Sequence, residues 1–95
     1  MVVGILDVKL ALRGARSLKD KRSLLNSIRD RLRNKFNVSV AEVANQDMVQ
    51  AAELAVAQVS SDARYVRGSL EKVLKRIQQS RGAQLTDYSI EVMYP

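Results

Sequence analysis

Val2-Val3-Gly4-Ile5-Leu6-Asp7-Val8-Lys9-Leu10-Ala11-Leu12-Arg13-Gly14-Ala15-Arg16-Ser17-Leu18-Lys19-Asp20 contains the change of hydrophobic period from which the architecture can be worked out. Up to Leu12 the chain alternates. Val2, Leu6, Val8, Leu10 and Leu12 share one parity, and Val3, Ile5, Asp7, Lys9 and Ala11 share the other. A period of two marks a strand covered on one face. Gly14 breaks the alternation, and Ser17-Leu18-Lys19-Asp20 has the form of a capping box, in which a hydroxyl and a carboxylate satisfy the free N–H groups of a starting helix. The helix is expected to begin at Leu18 and to run about eighteen residues. Its apolar stripe would be Leu18, Leu25, Ile28, Leu32 and Phe36, with Lys19, Arg22, Arg29 and Arg33 opposite.

Outward from this unit, Val38–Val43 and Glu53–Val59 read as two strands. Asn45-Gln46-Asp47-Met48 between them suits a long or bulged hairpin loop, and the inward parity of the pair stays ambiguous. Ser60-Ser61-Asp62 would cap a second helix with the stripe Ala63, Val66, Leu70, Val73, Leu74 and Ile77, stopped near Gly82. A last strand spans Gln84–Tyr94, with Tyr88, Ile90 and Val92 inward. The order β-α-β-β-α-β over residues 1–95 is that of a single ferredoxin-like α+β domain, a four-stranded antiparallel sheet with both helices on one face. The other face is left uncovered. Val3, Ile5, Asp7, Lys9 and Ala11 from the first strand would lie there, with Leu85, Asp87, Ser89, Glu91 and Met93 from the last. That mixture is too sticky for a bare surface and too polar for a core, and it reads as an interface.

With 46% hydrophobic and 27% charged residues the chain falls in the globular class. Having no Cys and no His, its 95 residues offer no disulfide, no thiolate or imidazole metal ligand and no Cys–His or Ser–His nucleophile. No catalytic residue, metal site or cofactor is expected. Asp7 and Lys9 interrupt the apolar start, so neither a signal peptide nor a transmembrane helix is read, and a cytoplasmic location without membrane association is expected. The net charge of +6 is unevenly spread: residues 13–35 carry +7 and residues 64–81 carry +5, while 36–63 carry −4. The excess therefore lies on the helices, a field that favours polyanions.

Along nearly its whole length the chain resembles the YlxP-like proteins, small bacterial domains of unknown function. The resemblance runs through Val2–Leu6, Arg16-Ser17-Leu18-Lys19-Asp20-Lys21-Arg22, Phe36-Asn37-Val38-Ser39-Val40-Ala41-Glu42-Val43 and Val59-Ser60-Ser61-Asp62-Ala63. It implies a ferredoxin-like fold, a tendency to dimerise and an association with translation, because such genes often neighbour those of translation initiation and ribosome maturation factors. It brings no activity and no catalytic residues.

Three functional readings follow. The first is a binding module whose basic surface contacts RNA or the ribosome, with Arg13, Arg16, Lys19, Lys21 and Arg22 at the first turn as anion contacts and Arg29 and Arg33 extending the patch. Arg31, Lys35, Arg67, Lys72, Lys75 and Arg76 add charge to the helix faces. No GxxG loop and few aromatics are present, so recognition would rest on shape and charge. The second is an assembly domain whose open sheet face or edge strand pairs with itself or with another protein; in the first reading too a homodimer is expected, with Val3, Ile5, Asp7, Lys9, Glu91 and Met93 as interface candidates. The third, by fold analogy alone, is an acylphosphatase-like arrangement of Gly14, Arg16 and Asn37. No small-molecule substrate is identified.

Overall fold

The computed structural model describes residues 1–95 and has the element order β1 (Val2–Ala11), α1 (Leu18–Lys35), β2 (Ser39–Ala44), β3 (Ala51–Ser60), α2 (Ala63–Gln78) and β4 (Gln84–Met93). The strands form one antiparallel sheet in the order β2-β3-β1-β4. This is the ferredoxin-like α+β fold. The core consists of Val2, Leu6, Val8, Leu10 and Leu12 from the β1 region, Ala52, Leu54 and Val56 from β3, Leu25, Ile28 and Leu32 from α1, and Val66, Leu70, Val73, Leu74 and Ile77 from α2, with Ala15 at its end. Only one strand parity enters it, so both helices cover the same face.

Gly4 sets how closely α2 approaches β1. A Cβ there would meet Val66 Cγ1 and come within 2.8 Å of Leu70 Cδ1. The missing side chain lets α2 settle on the centre of the sheet, where Val66 and Leu70 are fully buried.

Two irregularities alter the expected faces. Lys9 pairs with Asp87 but Leu10 pairs with Leu85, so Thr86 is an extra residue whose Oγ1 donates to the Lys9 carbonyl at 3.1 Å. Such a bulge flips the parity beyond it. Leu85 therefore packs against the core rather than on the open face. In β2, Glu42 pairs with Leu54 and Ala44 with Glu53, which leaves Val43 as the bulged residue. The ambiguous parity of the β2–β3 pair is thereby resolved: Val40 and Glu42 face the helices. Tyr88, expected inward, does lie opposite Val8 on the helix side, but β4 is an edge strand and the ring is 51% exposed. The helices end as their caps dictate. Ser17 Oγ accepts from Asp20 N, Asp20 accepts from Arg16 N, and Asp62 accepts from Arg64 N and Tyr65 N. The second helix gives out at Gln79, and Gly82 serves the following turn with φ of 82°.

Candidate nucleic-acid interface

The first turn keeps its cap but not all its cations. Arg13, Arg16, Lys19 and Arg22 are exposed around the start of α1. Lys21 is not: it is 1% exposed, and its ammonium donates to the carbonyls of Asn45 and Met48, both at 2.7 Å. It also lies 2.8 Å from Glu42 Oε2, an ion pair by distance that lacks hydrogen-bond alignment. The expectation that Lys21 contacts an outside anion is therefore corrected. Its charge is consumed in tying α1 to β2 and to the β2–β3 loop. The reason is the stripe itself, since Lys21 stands four residues before Leu25 and seven before Ile28, on the buried side of the helix. Leu18, expected there, is turned outward. The Lys21–Glu42 pair went unread in the sequence although Glu42 follows Val40 at strand spacing, which places both on one face.

This rotation also redistributes the remaining charges on α1. Buried Lys21, Leu25, Ile28 and Leu32 define the inward direction. At about 100° per residue, Arg22, Arg29 and Arg33 fall on one flank of that stripe rather than opposite it, and Arg31 and Lys35 fall on the other flank, facing α2. Arg29 is half-buried, with an Nε that has no hydrogen-bond partner. The sequence-predicted patch of Arg22, Arg29 and Arg33 thus lies on the far side of α1 from the second basic helix.

The flank facing α2 forms a continuous groove. Because β1 and β3 are antiparallel, the two helices that follow them run in opposite directions, and the C-terminal half of α1 faces the body of α2. A cleft of about 410 Å³ is lined by Arg31, Asn34, Lys35, Arg76, Gln79 and Ser80 over Ile28 and Leu32. It continues through one of about 300 Å³ bordered by Lys35, Phe36, Lys72, Lys75, Arg76 and Gln79. A third of about 310 Å³ adjoins at Phe36 and Lys72 and is completed by Arg64, Tyr65, Gly68 and Ser69. No carboxylate lines any of the three. The Lys21–Glu42 contact is the one salt bridge in the structure, so each of these cations lacks a carboxylate partner. Arg31 is steadied on its own helix, donating from Nε to the Ser27 carbonyl at 3.3 Å and from Nη2 to Ser27 Oγ at 3.2 Å. Six unpaired cations along one concave strip make a surface of strong positive potential.

The open sheet face carries a second cluster. Register places Val3 beside Val59 and Met93, Ile5 beside Ala57 and Glu91, Asp7 beside Ala55 and Ser89, and Lys9 between Glu53 and Asp87. The six interface candidates named from the sequence therefore do share that face. Glu53, which sequence reasoning passed over, stands with Asp7 as a carboxylate pair on this face. Its pKa is raised above 4.5, chiefly by its hydrogen bond with Asp7, with desolvation and the Asp7 charge adding and Lys9 opposing. No group of three or more His, Cys, Asp or Glu side chains is placed to hold a metal ion.

Arg16 and Asn37 are not brought together. They bracket α1, whose eighteen residues span about 27 Å, so the acylphosphatase-like arrangement does not form.

The fold, a small antiparallel sheet layered by two basic helices, defines the class: a ferredoxin-like α+β domain. The chain belongs to the family described as "Protein of unknown function (DUF503)", whose profile matches residues 3–90. It is 38% identical over 76 residues to "Uncharacterized protein YlxP" of Bacillus subtilis (strain 168), covering 80% of this chain and 78% of that one. Among solved structures it is similar in fold to SnoaB, a cofactor-independent oxygenase from Streptomyces nogalater, in its N63A mutant. The TM-score is 0.54 at 10% identity, covering 99% of this chain and 92% of the other. It is likewise similar to the de novo designed protein Ferredog-Diesel, with a TM-score of 0.51 at 12% identity, over 94% and 83% of the two chains. At such identities the likeness concerns the backbone alone. Neither helix is long and apolar enough to cross a membrane.

Proposed function

We propose that the protein is a binding module that engages structured RNA through its helical layer, and that the interhelical groove is the contact surface. The observation that carries this reading is the strip of Arg31, Lys35, Lys72, Lys75, Arg76 and Arg64 with no acid among the lining residues. Same-sign charge concentrated in a groove is costly to maintain and is relieved when phosphates displace counterions. Exposed Arg13, Arg16, Lys19 and Arg22 extend the field toward the other end of α1. Binding of a structured RNA, followed by fluorescence anisotropy, is expected to weaken steeply with salt, each phosphate contact contributing about 0.9 to the log–log slope. Replacing Lys35 and Arg76 with Ala should reduce that slope by nearly two. A salt-independent affinity, or one unmoved by the double substitution, overturns the groove as the contact surface.

A second reading concerns the opposite face and is compatible with the first: a homodimer formed through the open sheet. Val3, Val59 and Met93 adjoin there, and Val59 is 63% exposed, an apolar strip of the kind that monomers seldom leave uncovered. Light scattering on the wild type and Val59→Glu distinguishes the cases, with a dimer mass lost on substitution as the expected result.

A further inference from the structure

The end of the groove differs from the rest of it. Tyr65 is the one exposed aromatic residue on the helices, 59% accessible, and it shares a cleft with the half-buried ring of Phe36. The same cleft is lined by Gly68, in the interior of α2. A glycine within a helix destabilises it relative to alanine, and here nothing in the structure requires one: no heavy atom lies within 4 Å of where a Cβ would stand, and the residue has no positive φ. Gly4, by contrast, is enforced by Val66 and Leu70. Gly68 thus leaves a bare stretch of helix backbone in the lining of a cleft that Tyr65 and Phe36 also border, together with the cations Arg64 and Lys72. A backbone without a side chain admits a flat group at close range, aromatic rings offer it a stacking surface, and Arg64 and Lys72 suit an attached phosphate.

We propose that this cleft is a nucleotide subsite, taking an unpaired RNA base over Gly68 against Tyr65 and Phe36 with its phosphate on Arg64 and Lys72. The inference rests on the RNA reading above and adds to it: recognition would then include stacking on a single-stranded residue at the end of a charged groove, not only shape and charge. At about 310 Å³ the cleft is at the small end of ligand pockets, suited to one nucleotide rather than to a stacked run.

The test compares three ligands on the full chain at about 50 mM salt: a blunt RNA duplex, the same duplex with a purine overhang, and a free purine mononucleotide. The overhang is expected to bind roughly 5- to 150-fold more tightly than the blunt duplex, the range that stacking one base on an aromatic ring supports. Tyr65→Ala should abolish that advantage and leave blunt-duplex affinity in place, while Tyr65→Phe should keep it. Gly68→Val should also abolish it by placing a branched side chain where the base would lie, and near-unchanged far-ultraviolet circular dichroism shows that the variant is folded. Equal affinity for blunt and overhanging duplexes, or an advantage that survives both Tyr65→Ala and Gly68→Val, overturns the subsite while the RNA reading stands. Tyr65-dependent binding of the mononucleotide with no binding of either RNA keeps the nucleotide chemistry, makes a free nucleotide its source and overturns the RNA reading. No binding of any ligand overturns both.

Discussion

Replacing Lys21 with Met keeps the apolar stem and removes the ammonium that joins α1, β2 and the β2–β3 loop. Three contacts are lost: the carbonyls of Asn45 and Met48, and the ion pair with Glu42. Breaking a fully buried pair typically costs about 3–5 kcal/mol, because the surviving charge is stranded. Glu42 retains 20% of its side-chain exposure, and the loop residues are exposed, so water can recover part of the loss. An expected cost of about 3 kcal/mol results, a large share of the roughly 5–15 kcal/mol that holds a domain folded. For a chain of this size that corresponds to a fall in Tm of roughly 12–24 °C. Urea titration is the suitable assay, since guanidinium would screen the ion pair before unfolding the protein. The companion variant carries Lys21→Met and Glu42→Leu together. Removing both charges should recover at least about 1 kcal/mol of the single variant's loss, the signature of a coupled pair in a double-mutant cycle. If Lys21→Met lies within about 0.5 kcal/mol of wild type, the assignment of Lys21 to structure is refuted; a double variant no more stable than the single refutes its coupling to Glu42. The slope of RNA binding against salt should be the same for Lys21→Met as for wild type.

Gly4→Ala should destabilise by about 1–2 kcal/mol: overpacking against the stiff Val66 side chain costs about 1–3, partly offset by the reduced freedom of the unfolded chain. Combining it with Val66→Ala should relieve the clash, seen as a smaller loss on adding Gly4→Ala to Val66→Ala than to wild type. Gly68→Ala should instead raise Tm, as alanine gains about 0.5–1 kcal/mol over glycine in a helix and nothing obstructs its methyl group. On the open face, Glu53 binds its proton more tightly folded than unfolded, so its contribution favours the fold below pH 4.5 and is lost as pH rises through the raised value. Asp7→Asn should bring Glu53 back toward 4.5, first because the shared carboxyl hydrogen bond is lost and also because the neighbouring negative charge goes, read in a carboxyl carbon NMR titration; an unmoved midpoint would show that Asp7 is not the cause.

Element order, the start of α1 at Leu18 and the uncovered sheet face were legible because period, capping and turn chemistry are local properties, written within ten or so residues of where they act. Val2, Leu6, Val8 and Leu10 declare their face by spacing alone. Side-chain destinations were less legible wherever two distant segments meet. The Thr86 bulge turns Leu85 inward because β4 must follow β1, and nothing within β4 announces it. Lys21 reads as one more cation of a basic turn until β2 brings Glu42 beneath it, when the cost of desolvating the ammonium is met by a carboxylate and two carbonyls.

The same holds for the candidate interface. Composition alone shows two basic helices, because charge is additive along a chain. Which of those charges converge depends on the rotation of α1 about its axis, set by the burial of Lys21, Leu25, Ile28 and Leu32, and on the opposed directions of the helices. Burial and proximity are properties of pairs of segments, and only packing the helices on the sheet separates Arg22, Arg29 and Arg33 from the groove shared by Arg31, Lys35, Lys72 and Arg76.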